Sequence, residues 1–97
     1  FVIAEMATEA HIARVFVDDC IAQHLRGELD AKTASMAKYW VTELQNRLVD
    51  RGVQMHGGYG YMAEYPIARA FVNSRVQTIY GGTTEIQKEI SGRAWGL

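Results

Sequence analysis

The chain is poor in most of the features that would assign it quickly to a class. It has one cysteine, Cys20, and one proline, Pro66, and its apolar runs are only a few residues long. A single cysteine excludes an internal disulfide and suits a reducing compartment. Short apolar runs exclude a helix that spans a bilayer. Charge of one sign is missing too: 10 basic against 11 acidic residues leave −1, so there is no basic footprint for nucleic acid. Strand-like alternation, repeats and low-complexity segments are absent as well. What remains is 97 residues with 48% hydrophobic content, enough for one domain with a modest core.

Helical periodicity fills most of the length. Ile3, Ala7, Ala10, Val17 and Ile21 recur at helical spacing, beside a second stripe of Met6, Ala13 and Cys20, and Gly27 ends this first helix. Arg14 on the first stripe can snorkel outward. Asp30 is placed to cap a second helix carrying Ala34, Ala37, Val41, Leu44, Leu48 and Met55, which stops in a left-handed turn at Gly57-Gly58. Pro66 suits the first position of a third helix. Its apolar residues Ile67, Ala70, Phe71, Val72, Val76 and Ile79 cover more than one face, which predicts a helix sandwiched between others. Gly81-Gly82 stop it. Thr83 or Thr84 caps a fourth helix, with Thr84-Glu85-Ile86-Gln87 matching a capping box. The expected fold is all-α: an antiparallel up-and-down four-helix bundle over residues 1–97.

The two glycine breaks are the places to look for chemistry, because glycine lets the backbone turn with positive φ and lets a ligand approach the main chain. At Gly81-Gly82-Thr83-Thr84 the unpaired N–H groups of a helix start meet threonine hydroxyls, a combination suited to phosphate, a carbonyl oxygen or a nucleotide edge. The plainer alternative is a glycine turn between two helices, capped by threonine. Gln54-Met55-His56-Gly57-Gly58-Tyr59-Gly60-Tyr61 offers an amide, an imidazole, open backbone and two flat rings. Its alternative is a glycine C-cap with an aromatic-lined connection packed on the core. His56 lacks cysteine or carboxylate neighbours at metal-ligand spacing, so no metal site is expected. His11 and His24 stand alone, Asp18-Asp19 sit at a polar helix edge, and no nucleophile–base order stands out.

Taken in order, Ala34-Ser35-Met36-Ala37-Lys38, Gln54 to Tyr61, Glu64-Tyr65-Pro66-Ile67, Arg75-Val76 and Ile79 to Gln87 resemble the C-terminal region of the acyl-CoA dehydrogenases. The resemblance covers essentially the whole chain and is most like the long-chain branch. It implies α,β-dehydrogenation of an acyl-CoA on FAD, in a homo-oligomer, with a tetramer expected. The electron-transfer flavoprotein, or a similar acceptor, would take the electrons. It further implies that Gln54, Met55, His56, Gly57 and Gly58 contact the FAD of a neighbouring subunit, and that Thr83, Thr84 and Glu85 touch FAD. Tyr80, Gly81 and Gly82 would border the acyl thioester. One departure matters: Gly81 stands where many members carry the glutamate base, so no catalytic residue is expected in this chain. In the long-chain branch the base comes from an earlier helix, which would lie upstream of Phe1. Asn73 stands where an aspartate is expected.

Phe1-Val2-Ile3-Ala4 reads as a helix entered partway, so the chain is expected to be the C-terminal piece of a longer enzyme, inactive alone and prone to self-association. The implied location is the bacterial cytoplasm or, alternatively, the mitochondrial matrix. The competing expectation is a non-catalytic helical subunit or scaffold that has lost its base.

Overall fold

The computed structural model describes all 97 residues and contains four α-helices: α1 (Val2–Leu25), α2 (Ala31–His56), α3 (Pro66–Arg75) and α4 (Thr84–Ala94). Short 3-10 turns over Gly57–Tyr61 and Val76–Thr78 join the later ones. No helix is long and apolar enough to cross a membrane. The expected helix starts hold for local reasons. The Asp30 carboxylate accepts the Thr33 N–H at 2.7 Å, satisfying one of the orphan donors of α2. That bond also holds the Asp30 carboxyl below its ordinary pKa. Pro66 occupies the first turn of α3, and Tyr65 before it is extended, as a residue preceding proline must usually be.

The second helix is the spine. It packs on each of the other three, and no other pair of the four helices has more than marginal contact. Leu44, 2% exposed, sits at its middle. Named pairs give the register. Arg51 bonds Glu5 across α2 and α1 at 2.8 Å. Asn46 donates to the Ser74 carbonyl on α3 at 2.9 Å, and Gly52 faces Ile67, whose Cδ1 would stand 2.8 Å from a Cβ added there. Lys88 of α4 meets Glu43 at 3.6 Å, and Lys32 lies 4.0 Å from the Trp95 ring just past the end of α4. Every pairing is antiparallel to α2. The third helix therefore covers the C-terminal half of α2 and α4 its N-terminal half. The Gly81-Gly82 turn lies at the step between them.

Several expectations need adjustment. The first helix buries Ala13 and Cys20, from the second apolar stripe, while Ile3 is 68% exposed and Ile21 is exposed as well. The first stripe instead borders an open apolar groove of about 450 Å³, in which Ile3, Met6 and Ala10 face Leu48, Met55 and Ile67. The third helix stops at Arg75 rather than near Ile79. It has one packed face, not two: Val72 is 70% exposed, and Phe71, Val76 and Ile79 are open too. No capping box forms on Thr84. The N-cap is Thr83, whose Oγ1 accepts the Ile86 N–H at 3.3 Å, which puts isoleucine where the box requires glutamate or glutamine. Only nine of 97 residues are buried, so most of the apolar surface of this chain stays open.

Candidate functional site

The sequence-predicted residues fall into two groups at different levels of α2. Gln54, Met55 and His56 form its last turn, with Gly57 and Gly58 beyond; all five are exposed. Gly57 has φ 64° and ψ −144°, a region in practice open only to glycine, so the turn is left-handed in φ without being an αL cap. Gly58 has ordinary φ, and a Cβ there would meet nothing within 4 Å. The chain's own fold gives Gly58 no steric reason to be glycine. His56 Nδ1 donates to the Gly52 carbonyl at 2.7 Å, which fixes the ring and leaves Nε2 without a partner. No group of three or more His, Cys, Asp or Glu side chains is placed together to hold a metal.

The second group surrounds the step between α3 and α4. Gly81 and Gly82 have φ of 66° and 100°. Their turn is tied from behind by side chains. The Lys38 ammonium donates to the carbonyls of Gln77 (2.9 Å), Tyr80 (2.7 Å) and Gly82 (2.7 Å). Gln87 Nε2 donates to the Gly81 carbonyl at 3.1 Å. The Gln77 carbonyl is thus taken by Lys38, and the Gly81 N–H has no helical acceptor. Tyr80 is oriented through its hydroxyl, which donates to Gln77 Oε1 at 2.7 Å.

With the carbonyls taken, the N–H groups of Gly81, Gly82, Thr83, Thr84 and Glu85 are left with no acceptor in the chain. Beside them lies a polar cleft of about 460 Å³ lined by Asn46, Arg47, Arg75, Thr83, Thr84 and Glu85, with Glu43, Thr78 and Ile79 completing it. Arg47 has no carboxylate partner, and Arg75 holds Thr78 Oγ1 at 2.6 Å. Thr84 is 8% exposed, and its Oγ1 is buried without any hydrogen-bond partner. Buried polar atoms are nearly always satisfied, so an orphan hydroxyl lining a donor-rich cleft points to a ligand with acceptor or donor atoms of its own. Charges of both signs line the cleft, which suits an extended polar molecule better than a bare anion.

The two groups are not brought together. Lys38 and Gln54 are 16 residues apart on one continuous helix, about 24 Å at 1.5 Å per residue. Sequence reasoning also passed over Arg47 and Asn46, and noticed Lys38 only as part of a matching segment. The signal for Lys38 was available: it is three residues after the buried Ser35 and three before Val41, so it lies along the packed face, where an ammonium needs acceptors. Cys20 is not a reactive site, since burial and then the charge of Asp19 push its thiol pKa up.

Comparison with known proteins bears on both groups. The family profile for the acyl-CoA dehydrogenase C-terminal domain matches residues 1–96. The chain is 55% identical over 91 residues to the mitochondrial long-chain specific acyl-CoA dehydrogenase of Rattus norvegicus, covering 94% of this chain and 21% of that protein. It superposes on an acyl-CoA dehydrogenase from Geobacillus kaustophilus with a TM-score of 0.93 and 47% identity, over 97% of this chain and 25% of the other. The butyryl-CoA dehydrogenase of Megasphaera elsdenii gives 0.93 at 32% identity, over 100% and 25%. The chain thus spans about a fifth to a quarter of the length of the relatives it matches.

Proposed function

Because the chain belongs to the acyl-CoA dehydrogenase family, as its C-terminal domain, we propose that it is part of a longer FAD-dependent enzyme that dehydrogenates a fatty acyl-CoA between its α and β carbons. The observation that carries this is the donor-rich step between α3 and α4. Five consecutive free N–H groups, from Gly81 to Glu85, adjoin the exposed Tyr80 ring and a polar cleft holding an orphan Thr84 hydroxyl. The site residues fit FAD and substrate by their donor sets. Thr83, Thr84 and Glu85 would meet polar atoms of the cofactor. Gly81 and Gly82 would offer N–H groups to the thioester carbonyl, and Tyr80 would wall the acyl cavity. Gln54 to Gly58, about 24 Å away, would serve a different cofactor molecule, held by a neighbouring subunit.

When bound, FAD supplies the acceptor for the hydride that leaves the β-carbon. The chain's own residues orient and polarise. As the α-proton leaves, electron density builds on the thioester oxygen, and fixed N–H donors stabilise it there. Gly81 cannot take that proton, so the base is a carboxylate of the longer polypeptide. The open apolar faces of α1 and α3 support assembly with the rest of the enzyme and with further subunits, the tetramer included. The implied electron acceptor is the electron-transfer flavoprotein or one like it, in a reducing compartment such as a bacterial cytoplasm or a mitochondrial matrix.

A second reading rests on Gly81 itself: a flavin-binding or scaffolding relative without a base. The test is to purify the full-length polypeptide with its flavin and add palmitoyl-CoA and a dye acceptor. Dye reduction is expected. A flavin-replete protein that never oxidises the acyl-CoA, and has no carboxylate near Gly81, would move the account to the second reading.

A further inference from the structure

Lys38 is the one side chain that reaches three separate carbonyls of the site: those of Gln77, Tyr80 and Gly82, at 2.7 to 2.9 Å. Its ammonium has three donors, and all three are used. It also stands 5.9 Å from the centre of the Tyr80 ring. Nothing else anchors these carbonyls. Gln87 takes only the Gly81 carbonyl between them.

The consequence lies on the other side of each peptide. All peptide bonds here are trans, so the C=O of one residue and the N–H of the next point in opposite directions. Lys38 pulls the Tyr80 and Gly82 carbonyls toward α2 and thereby turns the N–H groups of Gly81 and Thr83 away from α2. A full positive charge on a carbonyl also polarises its peptide unit and strengthens the donor at the far end. Both glycines of the turn have positive φ and little side-chain restraint of their own. A turn so permissive needs an external clamp to present its donors in one direction.

We propose that Lys38 is a positioning residue for the dehydrogenation. Through the Tyr80 and Gly82 carbonyls it fixes and polarises the Gly81 N–H offered to the reacting thioester and, beside it, the Thr83 N–H offered to the cofactor. This rests on the proposed acyl-CoA site and adds a residue from α2 that does not itself touch substrate. Its action is on the turnover step, since the donors it fixes matter most when charge develops on the thioester oxygen.

The test uses the full-length flavoprotein with palmitoyl-CoA and a dye acceptor, comparing wild type with Lys38→Met, Lys38→Gln, Lys38→Arg and Gln87→Ala. Losing fixed donors of this type lowers kcat by on the order of 100-fold in other enzymes. Lys38→Met and Lys38→Gln are expected to lose kcat by about 10- to 100-fold, with KM changing less than kcat and flavin content kept. Lys38→Arg should recover part of the loss, and Gln87→Ala should lose less than Lys38→Met. An unchanged kcat in Lys38→Met overturns the proposal. So does a kcat loss that only tracks lost flavin and is not eased by arginine, because that is a folding role. If wild type itself oxidises no acyl-CoA, the enzyme reading fails, and amide hydrogen exchange decides on Lys38 separately. Faster exchange confined to the peptide around Ile79–Thr83 in Lys38→Met supports the clamp; unchanged exchange there overturns it.

Discussion

The two glycine-bearing connections look alike in sequence and are held in opposite ways. The Gly57–Tyr61 turn is fixed by the backbone of α2. Gly57 adopts a φ/ψ region in practice open only to glycine, and a Cβ on the buried Gly60 would stand 2.6 Å from the Val53 carbonyl oxygen. Its side chains, by contrast, are largely free: Tyr59 touches Tyr65 with rings 5.5 Å apart, and Gln54 and Tyr61 are exposed. At Gly81-Gly82 the side chains of Lys38 and Gln87 hold the turn, and its backbone N–H groups are free. The first connection presents side chains on a rigid main chain. The second presents main-chain donors on a clamped, permissive turn. A glycine pair is therefore no single kind of site; what matters is which half of the peptide the rest of the fold has already claimed.

The contrast can be broken most forcefully at Gly60. Gly60→Ala should cost about 2 kcal/mol or more in denaturant unfolding, because a rigid carbonyl and the His56 Cβ must give way. Gly58→Ala should stay within about 0.5 kcal/mol of wild type. Equal costs would remove the distinction between a glycine the fold needs and one it does not. Next comes Gly82→Ala. Its φ of 100° is hostile to a side chain, at about 1–3 kcal/mol, and the Gln87 amide must also move.

Thr84→Val sharpens the account of the cleft. It removes a hydroxyl that is buried and unpaired, so the cofactor-free protein should be no less stable. FAD retention, measured by equilibrium release, should weaken by about tenfold, the equivalent of about 1.4 kcal/mol. Unchanged FAD affinity would mean that Thr84 does not meet the cofactor. Thr83→Ala removes the observed α4 cap and should cost about 1 kcal/mol.

The smallest effect belongs to Asp30, the N-cap of α2. Its folded-state pKa is lowered by the Thr33 N–H, so its stabilising contribution is complete above about pH 4 and fades as pH falls through the lowered value. The gap in thermal midpoint between wild type and Asp30→Ala should be open at pH 7 and narrow as the pH falls through the lowered pKa. A gap independent of pH would show that the charge of Asp30 is not what the cap uses.

Much of this was legible in the sequence where local chemistry decides. Asp30, Pro66 and the glycine stops mark helix ends because capping, fixed φ and positive φ act within a few residues. What depends on the third dimension was not. Of the two caps the sequence left open for α4, Thr83 and Thr84, the structure uses Thr83. Gln87, expected to close a capping box, bonds the Gly81 carbonyl instead. The buried stripe of α1 was decided by where α2 lies, favouring Ala13 and Cys20 over the larger Ile3 and Ile21. The separation of the two candidate groups follows from the length of the unbroken α2. Lys38 stood in plain view on the packed face, but its partners are three backbone carbonyls some 40 residues away, which no spacing rule encodes.

The most direct measurement is anaerobic addition of palmitoyl-CoA to the purified full-length flavoprotein while its visible flavin absorbance is followed. Bleaching of the bound flavin by the acyl-CoA alone is the predicted result, with the bleaching slowed in Lys38→Met at equal flavin content. A fully loaded flavin that stays oxidised after acyl-CoA is added would contradict the account: the free donors at Gly81–Glu85 would then serve some ligand other than a thioester in turnover.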